Sequence, residues 1–319
     1  MIVHYITFAA GFVILILGAN YLVEGASSLG RKLNMSSIII GFTIVAAGTS
    51  LPELIINIFA SISKKTDLAI ANVVGSNTMN TLLVIGAAAL IFPIVPSRRT
   101  VYTFLPISLL AALLLAFFAW INFSSDAPFA IISRWEGIFF LALFIGFLVF
   151  SMYYARTETE SDVEEVKEFT LKRSLLYVIA GIAGLYFGGE WVMGGVNHLM
   201  VQFGLSQAIV GIAIVAVITS LPELVTSILA AFKKNSGIAL GNALGSNIVN
   251  VFLVLGVSSV ITPLHYSSLL NLDVTLMALA NLAVFFFVIV GKGRQINRLE
   301  GFIMMLIYFS YFGFLIWRG

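Results

Sequence analysis

Two glutamates stand in the middle of apolar stretches of this sequence. Glu53 and Glu223 each follow the motif Thr-Ser-Leu-Pro, and each stretch is long enough to cross a membrane. A charge at the centre of a bilayer costs at least about 2.5–3.5 kcal/mol, so such residues usually serve a function. Two neighbouring carboxylates are tolerable when they are protonated or when cations lie between them. The pair therefore indicates a cation site.

Other oxygen-bearing residues surround both glutamates. Pro52 and Pro222 lack an N–H and bend their helices, so we expect nearby backbone carbonyls to be free to face a cavity. The next apolar stretch of each half carries Asn and Ser at intervals of four, which places them on one helix face. The candidate metal ligands are Glu53, Glu223, Thr49, Thr219, Ala46, Ala216, Ser50, Ser220, Ser76, Ser246, Asn80 and Asn250. Asn72 and Asn242 begin the same stripes and are either ligands or interhelical hydrogen-bonding residues.

This ligand set favours hard cations. The chain has no cysteine, and His4, His198 and His265 all stand near the ends of apolar stretches. Oxygen ligands without imidazole or thiolate suit sodium and calcium, not zinc or copper. Two carboxylates neutralise one Ca²⁺ or two Na⁺, and competition between these ions is enough to make an exchanger. We expect Ca²⁺ and Na⁺ as transported ions and no cofactor.

The composition places the site in a membrane protein. Of the 319 residues, 60% are hydrophobic and 10% are charged, where a soluble domain carries roughly a quarter charged. Unbroken apolar stretches argue against a β-barrel, whose segments are short and alternating. A net charge of +2, with basic residues in short pairs, gives no indication of nucleic-acid binding. The chain is predicted to be an all-α polytopic protein in the lipid bilayer.

Ten stretches meet the length needed for a transmembrane helix. They are residues 2–23, 36–62, 68–94, 101–121, 129–153, 174–194, 207–232, 238–263, 272–290 and 300–317. An acidic linker at 154–173 divides them into two five-helix repeats, 1–153 and 174–319. One alternating set of loops holds 13 of the Lys and Arg residues and the other holds 4. Because Lys and Arg accumulate in cytoplasmic loops, we expect a cytoplasmic linker and extracellular termini in the cell membrane.

The two halves contain an internal repeat. Residues 41–86 align without gaps with 211–256, and 22 of 46 positions are identical. Because each half has five spans, the second half must enter the membrane from the opposite side. Inverted repeats around a site at the membrane midplane are the architecture of secondary transporters. Identity concentrated on polar residues at membrane depth favours transport over a duplication kept for stability.

At these residues the sequence resembles the sodium/calcium exchanger family of the cation/calcium antiporter superfamily. The resemblance lies in the two signatures that run from Gly48 to Asn80 and from Thr219 to Asn250, and it covers essentially the whole chain. The short linker resembles the prokaryotic type. Asn at both Asn80 and Asn250 resembles the potassium-independent branch, and Ile218 stands where the family usually has glycine.

The resemblance implies four cation sites formed by the second, third, seventh and eighth spans. Both glutamates and the carbonyls of the two signature threonines would hold Ca²⁺, and the two asparagines would line the middle site. One outer sodium site would use Glu53, Ala216, Thr219 and Ser246. An inner one would use Ala46, Thr49, Ser76 and Glu223. The first and sixth spans would slide across this core.

Sodium-driven calcium antiport is thus the favoured function, and H⁺/Ca²⁺ or K⁺-dependent Na⁺/Ca²⁺ antiport are the alternatives. Proton-coupled relatives typically carry a Gly-Asn-Ala-Ala-Glu type signature, which both copies lack. A calcium channel is less consistent with an inverted repeat around a two-sided site. The apolar stretches contain no aspartyl dyad, His cluster or Ser/His pair, so we do not expect an enzyme.

Overall fold

The chain folds into a bundle of long helices. The computed structural model describes residues 2–33, 35–96, 98–121, 129–155, 169–203, 215–290 and 295–318. Among these residues, eight helices are long and apolar enough to cross a membrane, and one bent pair of helices forms a ninth candidate span. The prediction of a multi-pass helical membrane protein is confirmed.

The helices of the first half are numbered α1 to α6 and those of the second half α7 to α12. The first six are α1 (Ile2–Lys32), α2 (Ile38–Thr49), α3 (Leu51–Ile62), α4 (Thr66–Ile91), α5 (Phe104–Ile121) and α6 (Arg134–Ala155). The others are α7 (Leu171–Phe203), α8 (Val215–Thr219), α9 (Leu221–Phe232), α10 (Ser236–Ile261), α11 (Asn271–Val290) and α12 (Arg298–Arg318). A short helix, Arg98–Tyr102, precedes α5.

The number of ten spans stays a prediction. The predicted seventh span, 207–232, corresponds to α8 and α9, and its first residues, 207–214, lie outside the described residues. Most of the predicted linker, residues 156–168, also lies outside them. Helices α1 and α7 run about nine residues beyond the predicted ends at 23 and 194, because a hydropathy window marks the apolar part of a helix and not its last turns.

Helices α4 and α10 are the most buried of the spanning helices and form the centre of the bundle. Each contains a π-helical segment at the same place in its repeat, Asn80–Val84 in α4 and Asn250–Leu255 in α10. A third π-helical segment, Gly41–Val45, lies in α2. Such segments leave the regular hydrogen-bond pattern of the helix and often occur at functional sites. The segments in α4 and α10 each begin at a candidate ligand, Asn80 and Asn250.

Close helix contact brings the two repeats together at the centre. A Cβ atom on Gly245 would lie 2.8 Å from the Cβ of Ala46 and 2.8 Å from the Cα of Phe42. Because glycine has no side chain, α10 can approach α2 at this distance. The next residue on α10 is Ser246, so the contact carries a candidate ligand of the second repeat to the first.

Short extended segments also join the two repeats in a reciprocal way. Strand β1 (Phe129–Ile132), before α6, pairs antiparallel with β2 (Leu264–Ser267), after α10. The equivalent segments of the opposite repeats pair through Ile94, after α4, and Ile296, before α12. The prediction that the fifth span begins at residue 129 is therefore wrong, because four apolar residues there form a strand and the helix begins at Arg134. The paired segments follow the two-fold relation of the repeats.

Helices α1 and α7 form a separate, tightly packed pair. A Cβ on Gly18 would lie 2.7 Å from the backbone nitrogen of Leu185, and one on Gly184 would lie 2.8 Å from the Cα of Gly18. The pair is thus held at a separation that only glycine permits.

Candidate cation site

The site forms where the helix that carries the Thr-Ser-Leu-Pro-Glu motif is interrupted in each repeat. Helices α2 and α3 meet at 45°, and the residue between them is Ser50, with φ −83° and ψ 8°. Ser220, with φ −88° and ψ 6°, separates α8 from α9 in the same way. Proline at the second position of α3 and of α9 is compatible with a helix start, where its missing N–H costs no hydrogen bond. The glutamates follow directly and enter the bundle centre.

The two carboxylates are fully buried and are bound by serines of the opposite repeat. Ser50 Oγ donates to Glu223 Oε1 at 3.1 Å, and Ser220 Oγ donates to Glu53 Oε1 at 3.2 Å. Both glutamates have no exposed surface. Each Oε2 is buried and has no hydrogen-bond partner among the described residues. The reciprocal bonds bring together two segments whose bonded residues are 167 and 173 positions apart in the chain.

Further hydroxyls flank the carboxylates on two sides. Ser246 Oγ donates to Glu223 Oε1 at 3.2 Å and lies 3.4 Å from Thr49 Oγ1. On the other side, Ser76 Oγ lies 3.4 Å from Thr219 Oγ1. Each serine thus lies beside the signature threonine of the opposite repeat. The sodium sites expected from the resemblance, which group Ser246 with Thr219 and Ser76 with Thr49, stay a prediction.

The backbone carbonyls at the breaks are less free than predicted. The Ala46 carbonyl accepts from the Ser50 backbone N–H at 3.0 Å, and the Ala216 carbonyl accepts from the Ser220 backbone N–H at 3.2 Å. The bends therefore do not leave these two carbonyls unpaired, because the last helical turn before each break is intact. Each carbonyl also accepts from a threonine hydroxyl, Ala46 from Thr49 Oγ1 at 3.3 Å and Ala216 from Thr219 Oγ1 at 3.2 Å. A carbonyl has two lone pairs, so a bound cation would take the place of this second hydrogen bond.

The two asparagines lie one turn further along α4 and α10. Asn250 Nδ2 donates to Asn77 Oδ1 at 3.1 Å. Neither asparagine is hydrogen-bonded to another candidate ligand in the part of the chain that the structure describes. Among the described residues, nine buried side-chain polar atoms have no partner, and five of them belong to Glu53, Glu223, Asn80 and Asn250. Buried unsatisfied polar atoms are rare, so this concentration points to something that binds there.

Asn72 and Asn242 contact threonines instead of carboxylates. Thr49 Oγ1 donates to Asn242 Oδ1 at 3.0 Å, and Thr219 Oγ1 donates to Asn72 Oδ1 at 3.3 Å. Of the two interpretations offered by the sequence, the structure shows the interhelical hydrogen bonds.

A second polar chain was not predicted from the sequence. Asn247 Nδ2 donates to Thr81 Oγ1 at 2.8 Å, and Asn281 Nδ2 donates to the same hydroxyl at 3.3 Å. Ser108 Oγ donates to Asn281 Oδ1 at 3.2 Å. This chain links the central helices to α5 and α11. A buried asparagine within the apolar α11 was the available signal.

Acidic residues away from the centre make structural contacts. Glu24 of α1 accepts from Lys233 Nζ at 3.2 Å, a partly exposed ion pair at the end of α9. Asp273 in the first turn of α11 accepts from Tyr311 Oη at 2.6 Å and from Arg318 Nη2 at 3.1 Å. Glu190 is exposed on α7. Of the acidic residues that the structure describes, Glu53 and Glu223 are the two that lie in the site.

A buried pair of carboxylates, ringed by hydroxyl, carbonyl and amide oxygens from two related repeats, defines a membrane transporter of hard cations. Comparison with known proteins identifies its family. The sequence matches the sodium/calcium exchanger protein family over residues 3–153 and 173–317. The chain belongs to this family, whose members are ion exchangers and not enzymes.

Individual proteins agree with the family assignment. The putative antiporter CaxA of Alkalimonas amylolytica is 36% identical, over 98% of this chain and 98% of that protein. The sodium/calcium exchanger MaX1 of Methanosarcina acetivorans is 29% identical, over 97% of each protein. The sodium-calcium exchanger NCX_Mj, from crystals soaked with Na⁺ and Ca²⁺, superimposes with a TM-score of 0.81 at 27% identity, over 97% of both chains.

Proposed function

We propose that this protein exchanges Na⁺ for Ca²⁺ across the cell membrane by alternating access. The observation that carries this proposal is the pair of fully buried glutamates, each with one carboxylate oxygen that has no partner among the described residues. Two buried carboxylates are tolerable when they are protonated or when cations lie between them, and the two unpartnered oxygens favour bound cations. The proposal is also supported by the names of MaX1 and NCX_Mj, which are sodium/calcium exchangers.

The charge of the site explains why the two ions exclude each other. One Ca²⁺ or two Na⁺ neutralise the glutamates completely. Calcium and sodium together would leave a net positive charge in a buried space, which the low dielectric of the interior penalises. Each ion therefore leaves when the other binds, and this is the requirement for antiport.

The hydroxyl contacts suggest where each ion binds. Calcium lies between the two glutamates and uses the carbonyls of Thr49 and Thr219. One sodium site uses Glu53, Ala216, Thr219 and Ser246. The other uses Ala46, Thr49, Ser76 and Glu223. Both serines contact the signature threonines, which supports the binding of sodium beside them.

The remaining candidate ligands complete the centre. Ser50 and Ser220 bind the carboxylates across the repeats and fix their directions. Asn80 and Asn250 line the middle of the site, where their unpaired amide oxygens supply neutral ligands. We place the termini outside the cell and the acidic linker in the cytoplasm, as the distribution of Lys and Arg indicates.

A flux experiment with imposed gradients tests the proposal. The protein is reconstituted in liposomes, and calcium uptake is measured with an outward gradient of Na⁺, K⁺ or H⁺. We expect uptake with the sodium gradient alone. Uptake that follows the proton gradient and ignores sodium would show H⁺/Ca²⁺ antiport and would overturn the proposal.

A further inference from the structure

Behind the proposed cation site, two chains of hydrogen bonds each start at a backbone carbonyl of one repeat and end at a threonine hydroxyl of the other. In the first repeat, Asn57 Nδ2 donates to the Ala69 carbonyl at 3.0 Å. Asn57 Oδ1 accepts from Asn72 Nδ2 at 2.9 Å. Asn72 Oδ1 then accepts from Thr219 Oγ1 at 3.3 Å. Asn57 and Asn72 are both buried.

The second repeat builds the same chain with a different first side chain. Ser227, which aligns with Asn57, donates through Oγ to the Ala239 carbonyl at 3.3 Å. Its Oγ accepts from Asn242 Nδ2 at 2.9 Å. Asn242 Oδ1 accepts from Thr49 Oγ1 at 3.0 Å. Asn57 and Ser227 thus make equivalent hydrogen bonds with different side chains.

The direction of each chain follows from its first link. A carbonyl only accepts, so Asn57 must turn its Nδ2 to Ala69 and its Oδ1 to Asn72. Asn72 must then present its Nδ2 to Asn57, and its Oδ1 faces Thr219. Asn72 Oδ1 thus offers the single proton of the Thr219 hydroxyl an acceptor outside the cation site, in competition with the Ala216 carbonyl at 3.2 Å. When the proton goes to Asn72, the lone pairs of the hydroxyl oxygen remain for a cation.

We propose that Asn57 and Ser227 are positioning residues for cation binding. Through the intervening asparagines, they turn the hydroxyl protons of Thr219 and Thr49 away from the cation site. The inference rests on the proposed function, since it assumes that these hydroxyls face transported ions. A hydroxyl that turned its proton toward the site would repel a cation and would stop being a ligand.

The two hydrogen-bond chains differ in how many acceptors hold the amide nitrogen of the second asparagine. Asn242 Nδ2 also donates to the Glu223 backbone carbonyl at 3.1 Å, so it keeps one acceptor when Ser227 is lost. For Asn72 Nδ2, the structure gives a single acceptor among the described residues, Asn57. Loss of Asn57 therefore allows the Asn72 amide to rotate, whereas loss of Ser227 leaves Asn242 in place.

Four variants test this inference. Asn57→Leu removes both hydrogen bonds at similar volume and should raise the half-saturating Na⁺ concentration about tenfold, the effect of one lost hydrogen bond, because the threonine hydroxyls belong to the proposed sodium sites. Asn57→Ser should restore nearly normal values, because a serine does the same work at position 227. Ser227→Ala should have the smaller effect, about threefold or less. Thr226→Val is the control, since the buried Thr226 Oγ1 has no partner among the described residues.

Ion affinity is measured in two ways. Half-saturation of transport by Na⁺ is compared with maximal rate in liposomes, and sodium binding to the purified protein is measured by calorimetry. A purely structural role would lower the unfolding temperature without changing half-saturation. Wild-type affinity in Asn57→Leu, or equal damage in Asn57→Ser, would overturn the inference. If Asn57→Leu does not fold, Asn57→Ala replaces it, with the same expected result.

The calorimetry separates the two proposals. Sodium binding is measured without transport, so weaker binding in Asn57→Leu supports the inference whichever ion drives calcium uptake. A wild-type protein that binds sodium but takes up calcium without a sodium gradient would overturn the proposed function alone.

Discussion

Replacing either buried glutamate by glutamine tests the cation site with the smallest change of shape. Glu53→Gln and Glu223→Gln keep the side-chain volume and one oxygen that accepts from the opposite serine. Each removes one of two charges from a fully buried site. Breaking a buried ion pair by removing one partner costs about 3–5 kcal/mol. At 1.4 kcal/mol per factor of ten, calcium binding should weaken about 150- to 4,000-fold.

The variants should nevertheless fold. Without ions, the wild-type glutamates repel each other, so loss of one charge should leave the unfolding temperature unchanged or raise it. Calcium at 100 times its dissociation constant stabilises a binding protein by about 2.7 kcal/mol. The wild type should therefore show a calcium-dependent rise in unfolding temperature, and the variants should not.

The assay combines this thermal shift with sodium-dependent calcium uptake in liposomes. Glu190→Gln is the matched control, because it makes the same change at an exposed carboxylate on α7. We expect transport and thermal shift to be lost together in both site variants and kept in the control. Wild-type uptake in either site variant would refute the assignment of the glutamates.

Three further predictions concern orientation, coupling and packing. The chain has no cysteine, so single cysteines introduced at Lys64 and Lys234 can be labelled selectively; both positions are exposed and are equivalent in the two repeats. An impermeant maleimide should reach the two cysteines from opposite sides of the membrane. Labelling of both from the same side would contradict the inversion of the repeats. Asn250 supplies an amide and no third charge, so sodium-driven calcium flux should not change when choline replaces K⁺; a strict potassium requirement would contradict this. Gly18→Leu should lower the unfolding temperature, because even a Cβ would lie 2.7 Å from a backbone nitrogen of α7. Gly146→Leu, where the described residues place no atom within 4 Å of the new Cβ, should be neutral, and equal effects would argue against tight packing of α1 on α7.

The repeated motif made the centre of the site predictable. Placing the charges of Glu53 and Glu223 inside the membrane costs free energy, so the two residues stand out in the sequence. The hydroxyl residues that flank them recur with the same spacing in both halves. Spacing within a repeat does not show which residues of the other repeat come close. The pairing of Ser246 with Thr49 therefore had to come from the structure.

Hydropathy predicted the bundle better than its edges. The apolar residues Phe129–Ile132 count toward a helix in any hydropathy window, although they form a strand. Their strand partner is more than 100 residues away, and no local pattern reports such a partner.

Sequence identity between the two repeats does not reveal the positioning residues. Asn57 aligns with Ser227, and the two differ in type although they make the same connection. The signal in the sequence is that both equivalent positions carry a polar residue within an apolar helix.

The most direct test of the account follows both ions in the same vesicles. Liposomes containing the wild-type protein are loaded with radioactive sodium, and radioactive calcium is supplied outside at a clamped membrane potential. Calcium entry should be accompanied by sodium exit in a constant ratio, and Glu53→Gln should abolish both movements. Calcium entry without sodium exit would contradict the central claim that the two ions compete for one pair of buried carboxylates.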